Sequence, residues 1–161
     1  MKLKVVSLFV SEKIECAIDL FNERTPIILD GLYELEEKSY FTYSDDTNKQ
    51  VVRTIKQYLS QDKIVYIHGY RSRWPWSPVI GYTSKGRYFI NTRKLDSLTA
   101  DQYAGNIAHE ILGHLAGYKH GSNRVTEKKK NSVPYIIGYL ISGDFGFAKL
   151  LELARKYKGV S

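Results

Sequence analysis

The sequence predicts an α/β fold of the α+β kind, in which a mixed sheet and amphipathic helices form a single domain over residues 1–161. Short segments rich in β-branched residues alternate with segments whose apolar residues recur at helical spacing. The length of 161 residues is that of one ordinary domain. Hydrophobic residues make up 43% of the chain, which is enough for a buried core.

The first half of the chain is predicted to alternate strands and helices. Residues 3–10 are apolar and β-branched and are interpreted as the first strand. Ser11 is a candidate N-cap for a helix over residues 12–23, which Pro26 is expected to end. Two short strands, an amphipathic helix and the central strand of the sheet are then predicted over residues 27–29, 40–43, 48–59 and 63–68.

The second half begins with a loop over residues 69–77 that carries both tryptophans. Their rings either clamp the loop onto the core or form a wall of a binding site. Residues 79–83 and 88–92 flank a turn that contains Gly86, and they are predicted to form a hairpin. Residues 144–157 have the spacing of a final amphipathic helix.

Charge and composition restrict the possible partners. The net charge is +7, and the basic run from Arg124 to Lys130 is interpreted as a solvated loop. No nucleic-acid-binding motif accompanies it, so nucleic acid is not an expected partner. No apolar run approaches the ~20 residues of a membrane span, and residues 5–10 are too short an apolar run for a signal peptide. Cys16 is the only cysteine and is expected to be an inert core thiol, and a cytoplasmic monomer is expected.

The segment from His109 to His120 reads HEILGHLAGYKH and concentrates the residues that can carry chemistry. It lies toward the end of a helix that Thr99 and Gln102 are predicted to begin as a capping box, and that is expected to run to about Tyr118. Three histidines and a glutamate on one helix and its exit favour a metal site.

The interval between the first two histidines requires a local change in the helix. On a regular helix, residues four apart are separated by about 40° and residues five apart by about 140°. His109 and His114 can therefore share a metal only if one extra residue is absorbed, and we predict a π-bulge between Glu110 and His114. Gly117 is predicted to end the helix in the left-handed conformation, so that the chain turns back and presents His120.

Three imidazoles suit zinc and leave a fourth position for water, although cobalt, nickel or copper would also bind. Glu110 is then placed to act as a general base on that water. Two alternatives stay open. If Glu110 turns away, the domain binds zinc without catalysis. If Glu110 is itself a ligand with His114 and His120, then His109 is spare. His68 is expected to be structural or to support the ligands.

These residues resemble the metzincin clan of zinc-dependent endopeptidases. His114, Gly117 and His120 match the second half of the motif H-E-x-x-H-x-x-G-x-x-H, and His109 and Glu110 match its first half with one residue inserted. The inserted form, HEILGH, is also similar to the H-E-x-x-G-H helix of dipeptidyl peptidase III, a zinc exopeptidase. The position of His120 as third ligand favours the metzincin-like arrangement.

The resemblance implies a zincin-like fold, with a mixed twisted sheet, an antiparallel edge strand, an active-site helix and a small C-terminal helical subdomain. It implies a zinc peptidase, an endopeptidase rather than an exopeptidase, whose peptide or protein substrate pairs along residues 79–83 as an exposed edge. Met1 is the only methionine, so Ile137 and Tyr139 stand where the metzincin turn has methionine and tyrosine. Tyr139 is thereby a candidate metal ligand or oxyanion donor, although Tyr135 and Tyr139 are equally well explained as core aromatics.

Overall fold

The computed structural model describes residues 1–121, 125–144 and 146–158, with the backbone alone described for residues 153, 154 and 156–158. Within that part of the chain the strands are β1 (Lys4–Ser7), β2 (Ile64–Tyr70), β3 (Gly81–Ser84) and β4 (Arg87–Asn91). The α-helices are α1 (Glu12–Glu34), α2 (Asn48–Leu59), α3 (Ala100–Ala108), α4 (Glu127–Lys130), α5 (Val133–Ser142) and α6 (Phe147–Lys158). A 3-10 turn (Thr92–Lys94) follows β4, and a π-helical segment (His109–Leu115) follows α3 directly. The predicted α+β class is confirmed.

The strands form one mixed sheet in the order β1-β2-β4-β3. The pairs β1–β2 and β2–β4 are parallel, and β3 pairs with β4 in the antiparallel sense at the edge. The predicted hairpin is confirmed, and Gly86 at its turn has a φ of +74°, which favours glycine. The sheet therefore ends in a short antiparallel edge strand, β3.

The two faces of the sheet differ in burial. Side chains of one face, which include Val65, Ile67 and Tyr88, belong to the buried core together with residues of all the longer described helices. On the opposite face Val6, Tyr66 and other large apolar residues are exposed. The core therefore lies between the helices and one side of the sheet, and the site described below lies on that helical side.

Helix α1 is nearly twice as long as the helix predicted over residues 12–23, because it continues through Pro26. The predicted break and the predicted strand over residues 27–29 are both wrong. Phe21, Thr25, Leu29 and Leu32 are buried at helical spacing, so the apolar stripe runs past the proline. Pro26 itself is exposed, and burial of the stripe outweighs the one hydrogen bond that proline removes.

Two further predictions about the first half are wrong. Cys16 is exposed, because the buried face of α1 is formed by neighbours such as Ile14, Ala17 and Ile18. Residues 40–43 do not form a strand but a single parallel bridge between Thr42 and Ser132. The apolar composition of this segment reflects burial of its side chains in the core, without a neighbouring strand to pair with along its length.

The capped helices agree with the sequence. Helix α2 spans the predicted residues 48–59, and Thr47 and Gln50 form a capping box at its start. Thr99 and Gln102 form the predicted capping box of α3. Among the described residues, no helix combines the length and apolarity that crossing a bilayer requires.

The tryptophan loop and the basic run differ from their interpretations. Trp74 and Trp76 are 53% and 75% exposed and stack on each other with ring centroids 5.3 Å apart, so they do not clamp the loop onto the core. The basic run is not wholly a solvated loop, because it contains α4, in which Lys129 is buried. Arg124 lies outside the described residues.

Candidate metal centre

A π-helical segment brings the first two histidines to one side of the chain. The predicted bulge between Glu110 and His114 lies within this segment, His109–Leu115, and is confirmed. Its hydrogen bonds span five residues: the Ala116 amide donates to the Ile111 carbonyl at 3.2 Å. The extra residue per turn compensates for the five-residue interval, which on a regular helix would direct the two imidazoles apart.

The end of the helix returns the chain toward the same site. Gly117 has a φ of +108°, a positive value as predicted for the residue that ends the helix. The amide of Tyr118 donates to the Gly113 carbonyl at 2.9 Å and continues the five-residue pattern through the turn. His120 follows Tyr118 by two residues, and its ring lies beside the rings of His109 and His114.

Helix α5 packs closely against α3 and the π-helical segment, and this packing depends on glycine. A Cβ atom built on Gly113 would lie 2.6–2.8 Å from atoms of Pro134, and one on Gly105 would lie 2.7 Å from the Gly138 carbonyl oxygen. Only hydrogen fits at these contacts. The start of α5 is thereby held against the histidines, and the two helices run in opposite directions.

The three predicted ligands lie together. One ring nitrogen from each of His109, His114 and His120 belongs to a group of three atoms that all lie within 4.8 Å of one another. Ring centroids are 4.5 Å apart for His114 and His120 and 5.0 Å apart for His109 and His114. Nitrogens of a tetrahedral zinc site are about 3.3 Å apart, so small rotations of the rings would close the group around one ion.

Hydrogen bonds to the backbone hold the rings of His109 and His114 in place. Nδ1 of His114 is 3.0 Å from the Tyr118 carbonyl oxygen and donates to it when it carries the proton, which leaves Nε2 as the nitrogen that could bind a metal. The ring of His109 is hydrogen-bonded to the Pro134 backbone. Nδ1 of His120 is buried and has no hydrogen-bond partner among the described residues. A metal ion would satisfy that nitrogen, so the donor set fits the group that the sequence predicts.

All three imidazoles are neutral at neutral pH. Burial lowers the pKa of His109 well below its usual value, and the charges of His114 and His120 lower it further. Burial also lowers the pKa of His114. The pKa of His120 falls to about 4, through burial first and then repulsion by His114 and Lys129. Metal binding requires unprotonated imidazoles, so no proton has to be displaced at neutral pH.

Glu110 is a buried carboxyl group beside the three histidines. It is 4% exposed, and its Oε1 atom lies 3.9 Å from Nε2 of His109. Burial raises its pKa to about 7, although hydrogen bonds from Thr83 oppose the rise. Its Oε2 atom has no hydrogen-bond partner among the described residues. One oxygen is thus available to accept a proton, at a pKa suited to exchange near neutral pH.

Two tyrosines of α5 face the site at different depths. The ring of Tyr135 is centred 4.6 Å from His109 and 5.2 Å from His120. Tyr139, the residue that the resemblance implied, lines the same cleft one helical turn farther along, 5.9 Å from Tyr135. Burial raises the pKa of both phenols, that of Tyr139 to about 12, so both hydroxyls stay protonated donors. The four-residue spacing of the pair could have indicated that Tyr135 shares the face.

The fourth histidine, His68, lies in strand β2, outside the histidine group. His68 stacks at 5.1 Å on Phe89 across the two central strands and is not a member of the histidine group. Glu110 is also outside that group, so the trio His109, His114 and His120 is favoured over a set in which Glu110 replaces His109.

The site opens into a cleft of about 880 Å³. Its walls are the β3 edge with the residues before it and the face of α5, and its floor is α3 with the π-helical segment. Lys129 also lines the cleft, and sequence reasoning missed it because it stands between two other lysines with nothing to distinguish it. Thr83, which the resemblance places only in a substrate-binding strand, also forms hydrogen bonds with Glu110.

Comparison of the chain with protein-family models, with curated proteins and with solved structures gives no match. Function is therefore inferred from the geometry and chemistry of the site itself.

Proposed function

We propose that the protein is a zinc-dependent peptidase in which His109, His114 and His120 hold the metal and Glu110 is the general base. The observation that carries the proposal is the meeting of three neutral imidazoles with a buried carboxyl group of near-neutral pKa at the floor of one open cleft. The π-helical segment supports the likeness to metzincins, because it removes the objection raised by the five-residue interval.

The residues of the chain divide the chemistry between them. Zinc bound by the trio would supply a Lewis acid that polarises the scissile carbonyl and makes water more acidic. Glu110 takes the proton of the attacking water at its Oε2 atom and later delivers it to the leaving amine. The hydroxyl of Tyr135 donates a hydrogen bond to the carbonyl oxygen as negative charge develops there.

An extended peptide is the substrate that suits the cleft. Strand β3 lies at the edge of the sheet, and it lines the cleft together with Glu110 and the histidines. A peptide that adds to this edge gains main-chain hydrogen bonds and passes its backbone over the metal ligands. Main-chain pairing of this kind favours polypeptides over compact small molecules.

The test combines metal analysis with peptide cleavage. We expect about one zinc per chain in the wild type and in Glu110→Gln, and less in His114→Ala. Cleavage of a diverse peptide mixture, followed by mass spectrometry, is expected in the wild type and is reduced at least about 100-fold in Glu110→Gln. His68→Ala is the control and retains both zinc and cleavage, since His68 is outside the group.

Two outcomes would overturn the proposal. Unchanged cleavage by Glu110→Gln would show that Glu110 is not the general base. A wild type that holds zinc and cleaves no peptide would leave a zinc-binding domain without hydrolytic activity.

A further inference from the structure

Lys129 is a lysine buried inside a cleft. It is only 4% exposed, although lysine is among the residues least often buried in proteins. Its backbone is held on both sides, because its amide donates to Oγ1 of Thr126 at 3.2 Å and its carbonyl accepts from the Ser132 amide at 3.1 Å. The flanking Lys128 and Lys130 are not buried. This lysine is therefore turned inward at a fixed position of the chain.

The ammonium group of Lys129 lies close to the metal ligands. Its Nζ atom is 5.8 Å from the ring centroid of Tyr135, and that ring contacts both His109 and His120. The positive charge of Lys129 contributes to lowering the pKa of His109, His114 and His120. Its charge is thus felt at every member of the trio.

The two ends of the described cleft carry charged residues of opposite sign. Pro134 packs on Gly113 and Ser142 packs on Gly105, so the antiparallel helices α5 and α3 define two ends of the cleft. Lys129 lies at the Pro134 end, and Asp144 lines the end beyond Ser142. The metal ligands lie between these charges.

A divalent cation bound by neutral imidazoles would add two positive charges next to Lys129. The carboxyl groups of the described lining are those of Glu110, on the floor beside the trio, and Asp144, at the opposite end from Lys129. The bound cation and the Lys129 ammonium would repel each other across this end of the described cleft. An anion that contacts the ammonium and approaches the metal would offset that repulsion.

We propose that Lys129 forms a carboxylate-binding subsite beside the metal ligands, so that the preferred substrates are peptides carrying a carboxylate at the Lys129 end of the cleft. This inference rests on the proposed peptidase function and specifies its substrate class. The carboxylate is either an acidic side chain or the free C-terminus of the peptide.

The direction of β3 relates these two sources to the orientation of the substrate. Gly81 lies against Asn106, and Thr83 is hydrogen-bonded to Glu110, so β3 runs in the same direction as α3 and the π-helical segment, toward the Lys129 end. A peptide antiparallel to β3 has its N-terminal residues at the Lys129 end, and the carboxylate is then an acidic side chain before the scissile bond. A parallel peptide brings its C-terminal carboxylate there.

The first experiment measures anion binding without any cleavage. The protein is loaded with Co²⁺, whose visible spectrum changes with its ligands, and is titrated with acetate. We expect equal Co²⁺ content in wild type, Lys129→Met, Lys129→Arg and Lys130→Met. The dissociation constant for acetate rises at least about tenfold in Lys129→Met, because a charge-assisted hydrogen bond is lost. It stays near the wild-type value in Lys129→Arg and in the matched control Lys130→Met.

The outcomes separate this inference from the proposed function. Equal acetate affinity in wild type and Lys129→Met, with full Co²⁺ content in both, refutes the subsite and leaves the metal site intact. A wild type that takes up no Co²⁺ refutes the metal site and the subsite together. A Lys129→Met protein with reduced Co²⁺ content is replaced by Lys129→Gln in the same titration, and the same criterion applies.

The second experiment identifies the source of the carboxylate. Wild type and Lys129→Met are compared on peptide pairs that differ by Glu or Gln before the scissile bond, and on pairs with a free or an amidated C-terminus. We expect the wild type to prefer the charged member of one pair by about tenfold in kcat/KM, and Lys129→Met to lose that preference. Preferences that are identical in the two proteins contradict the proposal.

Discussion

Glu110 shows how one residue acquires its chemistry from its surroundings. Its carboxyl group is nearly excluded from solvent, one of its oxygens lacks a partner among the described residues, and the hydrogen bonds from Thr83 only partly offset the burial. The sequence identifies the residue by its place beside His109. Its raised pKa follows from burial by segments distant in the chain, partly offset by hydrogen bonds from Thr83 of β3, and could not be predicted from that place alone.

The raised pKa of Glu110 predicts how stability of the metal-free protein depends on pH. The folded state favours the protonated carboxyl, so this contribution is present below pH 4.5 and is lost as pH rises through about 7. The free energy of unfolding of the wild type relative to Glu110→Gln should fall by about 3 kcal/mol between these limits. Urea titrations in the presence of a chelator measure it. The histidines are common to both proteins and cancel, and a flat difference would contradict the raised pKa.

Tyr135 is the second residue whose contribution can be tested. Its ring contacts His109 and His120, whereas Tyr139 is one turn farther from the trio. We expect Tyr135→Phe to lower kcat about 100-fold with little change in KM, because its hydrogen bond forms as charge develops on the carbonyl oxygen. Tyr139→Phe serves as the comparison and should have the smaller effect. Steady-state kinetics on one cleaved peptide decide between them, and the reverse order would restore Tyr139 to that role.

At the scale of elements, local signals predicted well and distant contacts did not. The capping boxes at Thr47 and Thr99 and the turn at Gly86 act within a few residues, and the elements they predict are present. Pro26 is also a local signal, yet α1 runs through it because burial against the rest of the core outweighs the lost hydrogen bond. The helix continues past Pro26 because of tertiary packing, which cannot be predicted from the local sequence.

The candidate site divides in the same way. The histidine trio and the π-helical segment were predictable because they depend on intervals inside twelve consecutive residues. Tyr135, Lys129 and the contact from Thr83 come from three other elements, which meet the trio only after α5 and β3 have packed. The spacing of residues within one helix predicts which of its own side chains share a face. It does not predict which residues of other elements pack against that face.

The contact between the π-helical segment and α5 predicts the effect of Gly113→Ala. The new methyl group would lie 2.6–2.8 Å from the Pro134 ring, which is rigid and cannot rotate away. We expect a loss of about 1–2 kcal/mol in the free energy of unfolding, since overpacking exceeds the gain in helix propensity from alanine. Gly146→Ala is the control, because its added Cβ meets nothing within 4 Å. Denaturant titrations should separate the two variants, and equal stability would mean that α5 is not held by this contact.

At the scale of the whole molecule, the core is one-sided and the site is built into it. The helices bury one face of the sheet, and α3 with the π-helical segment is part of that core while forming the floor of the cleft. The side chains of the three histidines therefore converge only when the chain is folded. Metal binding and global folding should accordingly be linked, because the unfolded chain does not hold the trio together.

This linkage predicts a thermal shift. Zinc at about 100 times its dissociation constant would stabilise the folded state by about 2.7 kcal/mol. For a chain of this length that corresponds to a rise in Tm of about 5–10 °C, which a chelator should reverse. His120→Ala removes the ligand that lies beyond the helix and should abolish most of the shift, whereas His68→Ala should retain it. Calorimetry of the three proteins with and without zinc makes the comparison. An equal shift in all three would place the bound zinc somewhere other than the trio.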